Sequence, residues 1–238
     1  MTHYPLPKTI DAILFDFDGT LVRLNVNFSA MREAVLDLIV SYGAPRDGLG
    51  GLFVLEMIEA GREFISRFGR DTQSEYETRA YEIVRGFEME GAREGTLIDG
   101  VRGMLAETKR RGMKTGVVTR NCRDAVRTIF PDIGEYCGIV VTREDVVRVK
   151  PHPDHLWTAL RSLETPPPCA VMVGDHPMDI QAGRRIGLYT IGVLTGYSGS
   201  EALVRAGADL VIESAAEIVS RFDDSGDPVA GNSRSGRS

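Results

Sequence analysis

The chain has 238 residues, 42% of them hydrophobic and 26% charged, the balance of a globular protein rather than a disordered or fibrous one. A chain of this size buries roughly 70% of the surface its unfolded form exposes, so no disulfide or metal staple is needed to hold a core. Lys and Arg total 28 against 34 Asp and Glu, a net charge of −6, which is the wrong sign for binding nucleic acid by counterion release.

No apolar run approaches the ~18 residues of a membrane span. The opening residues lack the basic and apolar regions of a signal peptide, so a cytoplasmic protein is expected. Cys122, Cys137 and Cys169 are odd in number and form no C-x-x-C pair. They suit a reducing compartment and small buried thiols.

The first strand-like run covers residues 10–15 and leads directly into Asp16-Phe17-Asp18-Gly19-Thr20. In extended backbone, residues two apart point the same way, so both carboxylates project together at the strand's C-terminal end. Two close carboxylates repel unless a cation or shared proton compensates, and that end of an α/β sheet is where ligands bind. A divalent metal site is the natural inference, and hard carboxylate oxygens suit magnesium.

Residues 25–95 show no strand, but apolar residues recur with helical period at Met31, Ala34, Val35, Leu38 and Ile39, and again at Tyr76, Ala80, Ile83, Val84 and Phe87. This reads as an all-helical insertion. Pro45, Gly48, Gly50 and Gly51 interrupt it, as in a helix-connecting loop. Two of its cations, Arg46 in that loop and Arg62 beside Gly61, are candidates for recognising an anionic substrate.

Strand patterns then return at 114–119, 138–141, 170–173, 190–193 and 210–212, separated by helical stretches. One of these helices runs over 180–186 and stops at Gly187. The alternation predicts an α/β fold with a doubly wound parallel sheet. Its core comprises residues 1–24 and 96–222, and the helical cap 25–95. Residues 223–238 hold almost nothing to bury and are expected to be a disordered tail.

Three more strand ends carry chemistry. The run Val117-Val118 ends in Thr119-Arg120-Asn121, although a lone Thr there is more often a helix cap. Lys150, one of four lysines in the chain, precedes Pro151-His152-Pro153, whose prolines keep the backbone extended. Val173-Gly174 leads into Asp175, with Asp179 four residues on, where a helix-starting acid would also be favoured by the dipole. His152 and His155 lack further ligands nearby and are expected at surface or helix-start positions. His176 is expected to line the site without reacting, and Trp157 to pack on an apolar stripe.

In order, these segments read D-x-D-G-T, a strand-ending Thr, a Lys before Pro, and G-D-x-x-x-D. This resembles the haloacid-dehalogenase-like hydrolase superfamily with its Rossmann-like core, and within it the phosphatases whose helical cap follows the first motif. The resemblance covers about residues 10–22 and 96–212. It implies that Asp16 is the nucleophile forming an aspartyl-phosphate, Asp18 the general acid and base, and Thr119 the hydroxyl that binds the phosphoryl group. Lys150 would steady the nucleophile and the transferring phosphoryl group, and Arg120 and Asn121 would lie beside the substrate. Magnesium would be held by Asp16, by Asp18 through its backbone carbonyl, by Asp175 and by Asp179, the last directly or through water.

Asp18 argues against the dehalogenase activity, whose leaving halide needs no proton. A cap lysine of the phosphonate-cleaving kind is absent, since residues 25–95 contain no Lys. Phosphoglycolate phosphatases are the nearest resemblance, although Arg23 stands where many capped relatives carry an acid. The expected activity is magnesium-dependent hydrolysis of a small-molecule phosphate monoester. The alternatives are a mutase or phosphotransferase of the β-phosphoglucomutase type, or a binding protein on an inactive core. The expected partner is a small phosphorylated metabolite, with no nucleic acid and no membrane, and the chain a monomer or homodimer.

Overall fold

The computed structural model describes residues 9–222. The expected disordered tail, 223–238, lies outside them. The chain divides into two compact units, one running up to Arg23 and resuming at Gly95, the other Leu24–Glu94.

The first unit is a parallel sheet in a doubly wound α/β arrangement. Its strands are β1 (Ala12–Phe15), β4 (Lys114–Val118), β5 (Ile139–Val141), β6 (Ala170–Gly174), β7 (Tyr189–Val193) and β8 (Leu210–Ile212). Their order is β5-β4-β1-β6-β7-β8, so β1 is central, and every pairing is parallel. All residues of β1, β6 and β7 are buried, and β1 and β6 accordingly read as unbroken apolar runs rather than alternating ones. A separate pair, β2 (Val22–Arg23) with β3 (Thr96–Leu97), is antiparallel. Two-residue strands are too short to show a period, and the sequence pattern missed both.

Five helices connect the strands: α4 (Val101–Arg110), α5 (Arg123–Ile129), α6 (Asp154–Ser162), α7 (Pro177–Arg185) and α8 (Ser200–Ala206). Leu14, Met172 and Val118 of the sheet pack with Leu156, Ala159 and Leu160 of α6, and Trp157 lies partly buried against this cluster. Cys122 and Cys137 are buried, but Cys169 is half-exposed, a departure from the expected buried thiols. Burial pushes the Cys137 thiol up to about 12, so it is not a nucleophile at neutral pH.

The second unit contains α1 (Phe28–Ser41), α2 (Val54–Ile65) and α3 (Arg70–Glu94). Asn27 caps α1 through its side-chain oxygen, which accepts from the Ala30 amide at 3.0 Å. Met31, Val35, Leu38 and Ile39 pack with Met57, Ile58, Tyr76, Ala80 and Val84. Tyr76 is fully buried, and its hydroxyl donates to the Ile58 carbonyl at 3.0 Å. Gly61 leaves the room that hydroxyl occupies, because a side chain there would collide with it. The Pro- and Gly-rich connection after α1 is held by Arg32, which donates to the carbonyls of Leu49 at 2.8 Å, of Gly50 at 2.6 Å and of Leu52. No helix among the described residues is long and apolar enough to cross a membrane.

Candidate active site

Parallel pairing brings three strand ends together. Phe15 is level with Val117 on one side and Val173 on the other, so the residues that follow each strand gather at one edge of the sheet. The Asp16 amide donates to the Val173 carbonyl at 2.8 Å, and the Thr119 amide to the Val141 carbonyl at 2.9 Å. Immediately after Asp16 the chain turns, with the amides of Leu21 and Val22 both donating to the Phe17 carbonyl. Phe17 is fully buried while Asp16 and Asp18 are only half-buried, so burial alternates as expected although the backbone bends at Phe17 rather than running extended.

Gly19 takes φ +80°, and a Cβ there would lie 2.5 Å from Oδ2 of Asp175. Only glycine meets both demands. The first motif's turn is thereby packed directly on the fourth motif's acid.

Lys150 reaches this edge from the loop before α6. Its ammonium lies 2.5 Å from Oδ1 of Asp16 and 2.8 Å from Oδ1 of Asp179, with the lysine side chain 1% exposed. Burial works to lower the lysine's affinity for its proton, but the two carboxylates more than offset it and its pKa is raised. Asp179 has a second task. Its Oδ2 accepts from the His176 amide at 3.1 Å, while His176 Nδ1 accepts from the Met178 amide at 3.2 Å, so the two residues cap α7 reciprocally. One oxygen of Asp179 thus caps the helix and the other faces Lys150.

Asp16, Asp175 and Asp179 each present an oxygen within 4.8 Å of the others. One buried lysine does not neutralise three acids. Burial, opposed by Lys150 and reinforced by Asp179, pushes Asp16 up to about 6. Burial together with the charges of Asp16 and Asp179 pushes Asp175 up to about 8. A carboxylate so far above its usual range marks a place where a cation is wanted, and an all-oxygen donor set fits a hard divalent ion.

Thr119 is buried, and its Oγ1 accepts from the Asn121 amide at 3.1 Å. Its own hydrogen is thus left to be donated elsewhere. The Arg120 guanidinium donates to the Lys150 carbonyl at 3.2 Å and lies 3.1 Å from the Met178 sulfur. In this structure Arg120 therefore braces the lysine loop. Arg46 and Arg62 belong to the other unit, where each is engaged with acids. Arg46 pairs with Glu33 at 2.6 Å and Asp37 at 3.8 Å, and Arg62 with Glu59 and, at 3.7 Å, Glu77.

Four contributors escaped the sequence reading. His155, expected at the surface or a helix start, does lie in the first turn of α6 but is wholly buried. Its Nδ1 accepts from the Lys150 amide at 3.2 Å. Burial, aided by the charge of Lys150, depresses its pKa to about 3, so it is neutral. Buried Arg143 donates to the Arg120 carbonyl at 3.1 Å. The loop after β7 brings Thr195 and Tyr197, whose amide donates to Oδ2 of Asp175 at 2.8 Å. The available signal was that 190–193 is another parallel strand, whose following residues must emerge at the same edge.

The parallel sheet, the strand-end acids and the buried lysine form a site of the kind that phosphoryl-transferring hydrolases use. Comparison with known proteins agrees: residues 13–193 match the family described as haloacid dehalogenase-like hydrolase. The chain belongs to that family. It is 31% identical over 232 residues to pyrophosphatase PpaX of Bacillus velezensis, covering 89% of this chain and 96% of the relative. It is 30% identical over 227 residues to pyrophosphatase PpaX of Bacillus cereus, covering 88% and 95%. Among solved structures, a predicted phosphoglycolate phosphatase from Haemophilus somnus superposes with a TM-score of 0.61 at 18% identity, covering 89% of this chain and 97% of that one.

Proposed function

We propose that the chain is a magnesium-dependent phosphatase that hydrolyses a small phosphorylated metabolite, a phosphate monoester, through an aspartyl-phosphate on Asp16. The observation that carries this reading is the contact of Lys150 with Asp16 and Asp179 beside Asp175. A buried cation held against a carboxylate at a sheet edge is what phosphoryl transfer to that carboxylate requires. The relatives named as pyrophosphatases and the neighbour named as a phosphoglycolate phosphatase support a small phosphate-bearing substrate. Three free cysteines suit a reducing, cytoplasmic compartment.

Asp16, Asp175 and Asp179, with the Asp18 backbone carbonyl, would hold the magnesium. When bound, the ion would offset the charge repulsion between these acids and the phosphate. Asp16 attacks phosphorus while Asp18 gives its proton to the departing oxygen. Asp18 then takes a proton from the water that cleaves the acyl phosphate, restoring Asp16. Lys150 compensates charge on Asp16 and on the transferring group, and the Thr119 hydroxyl donates to a phosphoryl oxygen.

The test is phosphate release from phosphoglycolate, sugar phosphates, nucleotides, pyrophosphate and p-nitrophenyl phosphate, with and without magnesium, beside Asp16→Asn. Magnesium-dependent turnover that the substitution abolishes is expected. Folded protein that releases no phosphate from any of them overturns the reading. Substrate phosphate reappearing in a sugar bisphosphate would instead identify a mutase.

A further inference from the structure

The loop joining β7 to α8, residues 194–199, touches the site at three points that its catalytic motifs do not supply. The Thr195 hydroxyl donates to the Gly19 carbonyl at 2.6 Å, the Tyr197 amide donates to Oδ2 of Asp175 at 2.8 Å, and the Tyr197 hydroxyl donates to Oδ2 of Asp18 at 3.3 Å. Gly196 lies so close to Asp175 that any side chain there would collide with the carboxylate. Three consecutive residues thus hold the turn of the first motif, the acid of the fourth and the side chain of Asp18.

Tyr197 is 59% exposed, so core packing does not dictate where its hydroxyl lies. Its amide bond to Asp175 and its hydroxyl bond to Asp18 do. We propose that this loop is a positioning element, in which Tyr197 aims the carboxylate of Asp18 at the oxygen that it protonates. The proposal rests on the reading of Asp18 as proton donor and acceptor.

A carboxyl group that must deliver a proton has two oxygens and turns readily about its last torsion. A phenol, protonated at neutral pH, donates to one oxygen and leaves the other to carry the mobile proton. Holding that oxygen in place removes a rotational freedom that would otherwise be lost on the way to the transition state. At 3.3 Å the contact is longer than the ~2.8 Å of a relaxed hydroxyl bond, as catalytic hydrogen bonds in free enzymes commonly are. Thr195 and Gly196 set the loop's height by fixing it to Gly19 and Asp175, so the ring is presented at one distance from Asp18.

The experiment compares wild type, Tyr197→Phe and Asp18→Asn on p-nitrophenyl phosphate and phenyl phosphate with magnesium. The first leaving group departs readily without a proton and the second does not. A hydrogen bond to a charged group supports a loss of about tenfold in kcat/KM on phenyl phosphate for Tyr197→Phe. Less than about threefold is expected on p-nitrophenyl phosphate, because proton donation contributes little there. Melting temperature should not move, since the ring remains and only an exposed hydroxyl is removed. A purely structural role would lower both substrates alike.

Equal losses on the two substrates, or none, with Asp18→Asn still selective for the poorer leaving group, overturn the role of Tyr197 and leave that of Asp18 standing. If Asp18→Asn behaves as wild type on both substrates, the reading of Asp18 falls and this proposal with it.

Discussion

Lys150 Nζ lies 2.5 Å from Oδ1 of Asp16, a residue 134 positions away in the chain. The same ammonium meets Asp179 at 2.8 Å. Such a cation is removed from water and cannot be replaced by solvent when it is lost. Its backbone is fixed as firmly as its side chain, with the amide bonded to His155 and the carbonyl to Arg120.

Lys150→Met should therefore leave Asp16, Asp175 and Asp179 uncompensated. A fall in kcat of at least about a hundredfold is expected, from the loss of preorganised charge at the transferring group. Magnesium-free protein at pH 8 should also lose about 3 kcal/mol of stability, because breaking a buried pair strands its partners. Steady-state kinetics and urea unfolding check the two effects separately.

Magnesium should raise the melting temperature of the wild-type protein. At a hundred times Kd the linkage is about 2.7 kcal/mol, or roughly 5–10 °C for a chain of this size. The gain should be larger at pH 8.5 than at pH 6.5. Asp175 sits at about 8 without a cation, so protons compete with the metal on the acid side. Asp175→Asn should abolish most of the magnesium shift; scanning calorimetry with magnesium or chelator decides it.

His155 makes a pH-dependent contribution whose sign is set by its depressed pKa, about 3 against an ordinary 6.5. The unfolded chain takes up a proton below 6.5 that the folded chain refuses. The stability from neutral His155 is thus complete above pH 6.5 and is lost as pH falls toward 3, at about 1.4 kcal/mol per unit. His155→Asn keeps an acceptor for the Lys150 amide without the titration. Relative to that variant, wild type should lose about 2 kcal/mol between pH 7.5 and pH 5. Urea unfolding at the two pH values measures the difference, and an unchanged gap would show that His155 does not resist protonation.

Gly19→Ala tests the contact between the first motif and Asp175. The left-handed backbone costs an alanine about 1–2 kcal/mol, and the new Cβ lies 2.5 Å from the Asp175 carboxylate. The variant should melt lower and need more magnesium for half-maximal activity. A magnesium titration identical to wild type would mean that Asp175 tolerates displacement.

The apolar runs stated the strand order of the chain but not the pairing order of the sheet. Residues 10–15 and 170–173 were visible because strands buried on both faces read as apolar runs, and 114–119 was visible by its Val117-Val118 end. In chain order they became β1, β4 and β6 within two residues at each end. The pair β2 and β3 was invisible because two residues carry no period. The alternating burial of Asp16, Phe17 and Asp18 was also legible, but the bend at Phe17 that follows the strand was not.

By itself, then, the sequence determined the α/β class, the helical character of residues 25–95 and the acids and hydroxyl that end the strands. Each of these follows from local periodicity or from the residue at a strand tip. The tertiary structure alone decided that Lys150 also meets Asp179, that buried His155 holds the Lys150 amide and that Tyr197 reaches Asp18. Such contacts join segments or depend on burial, and no residue's neighbours in the chain record what parallel pairing will place beside it.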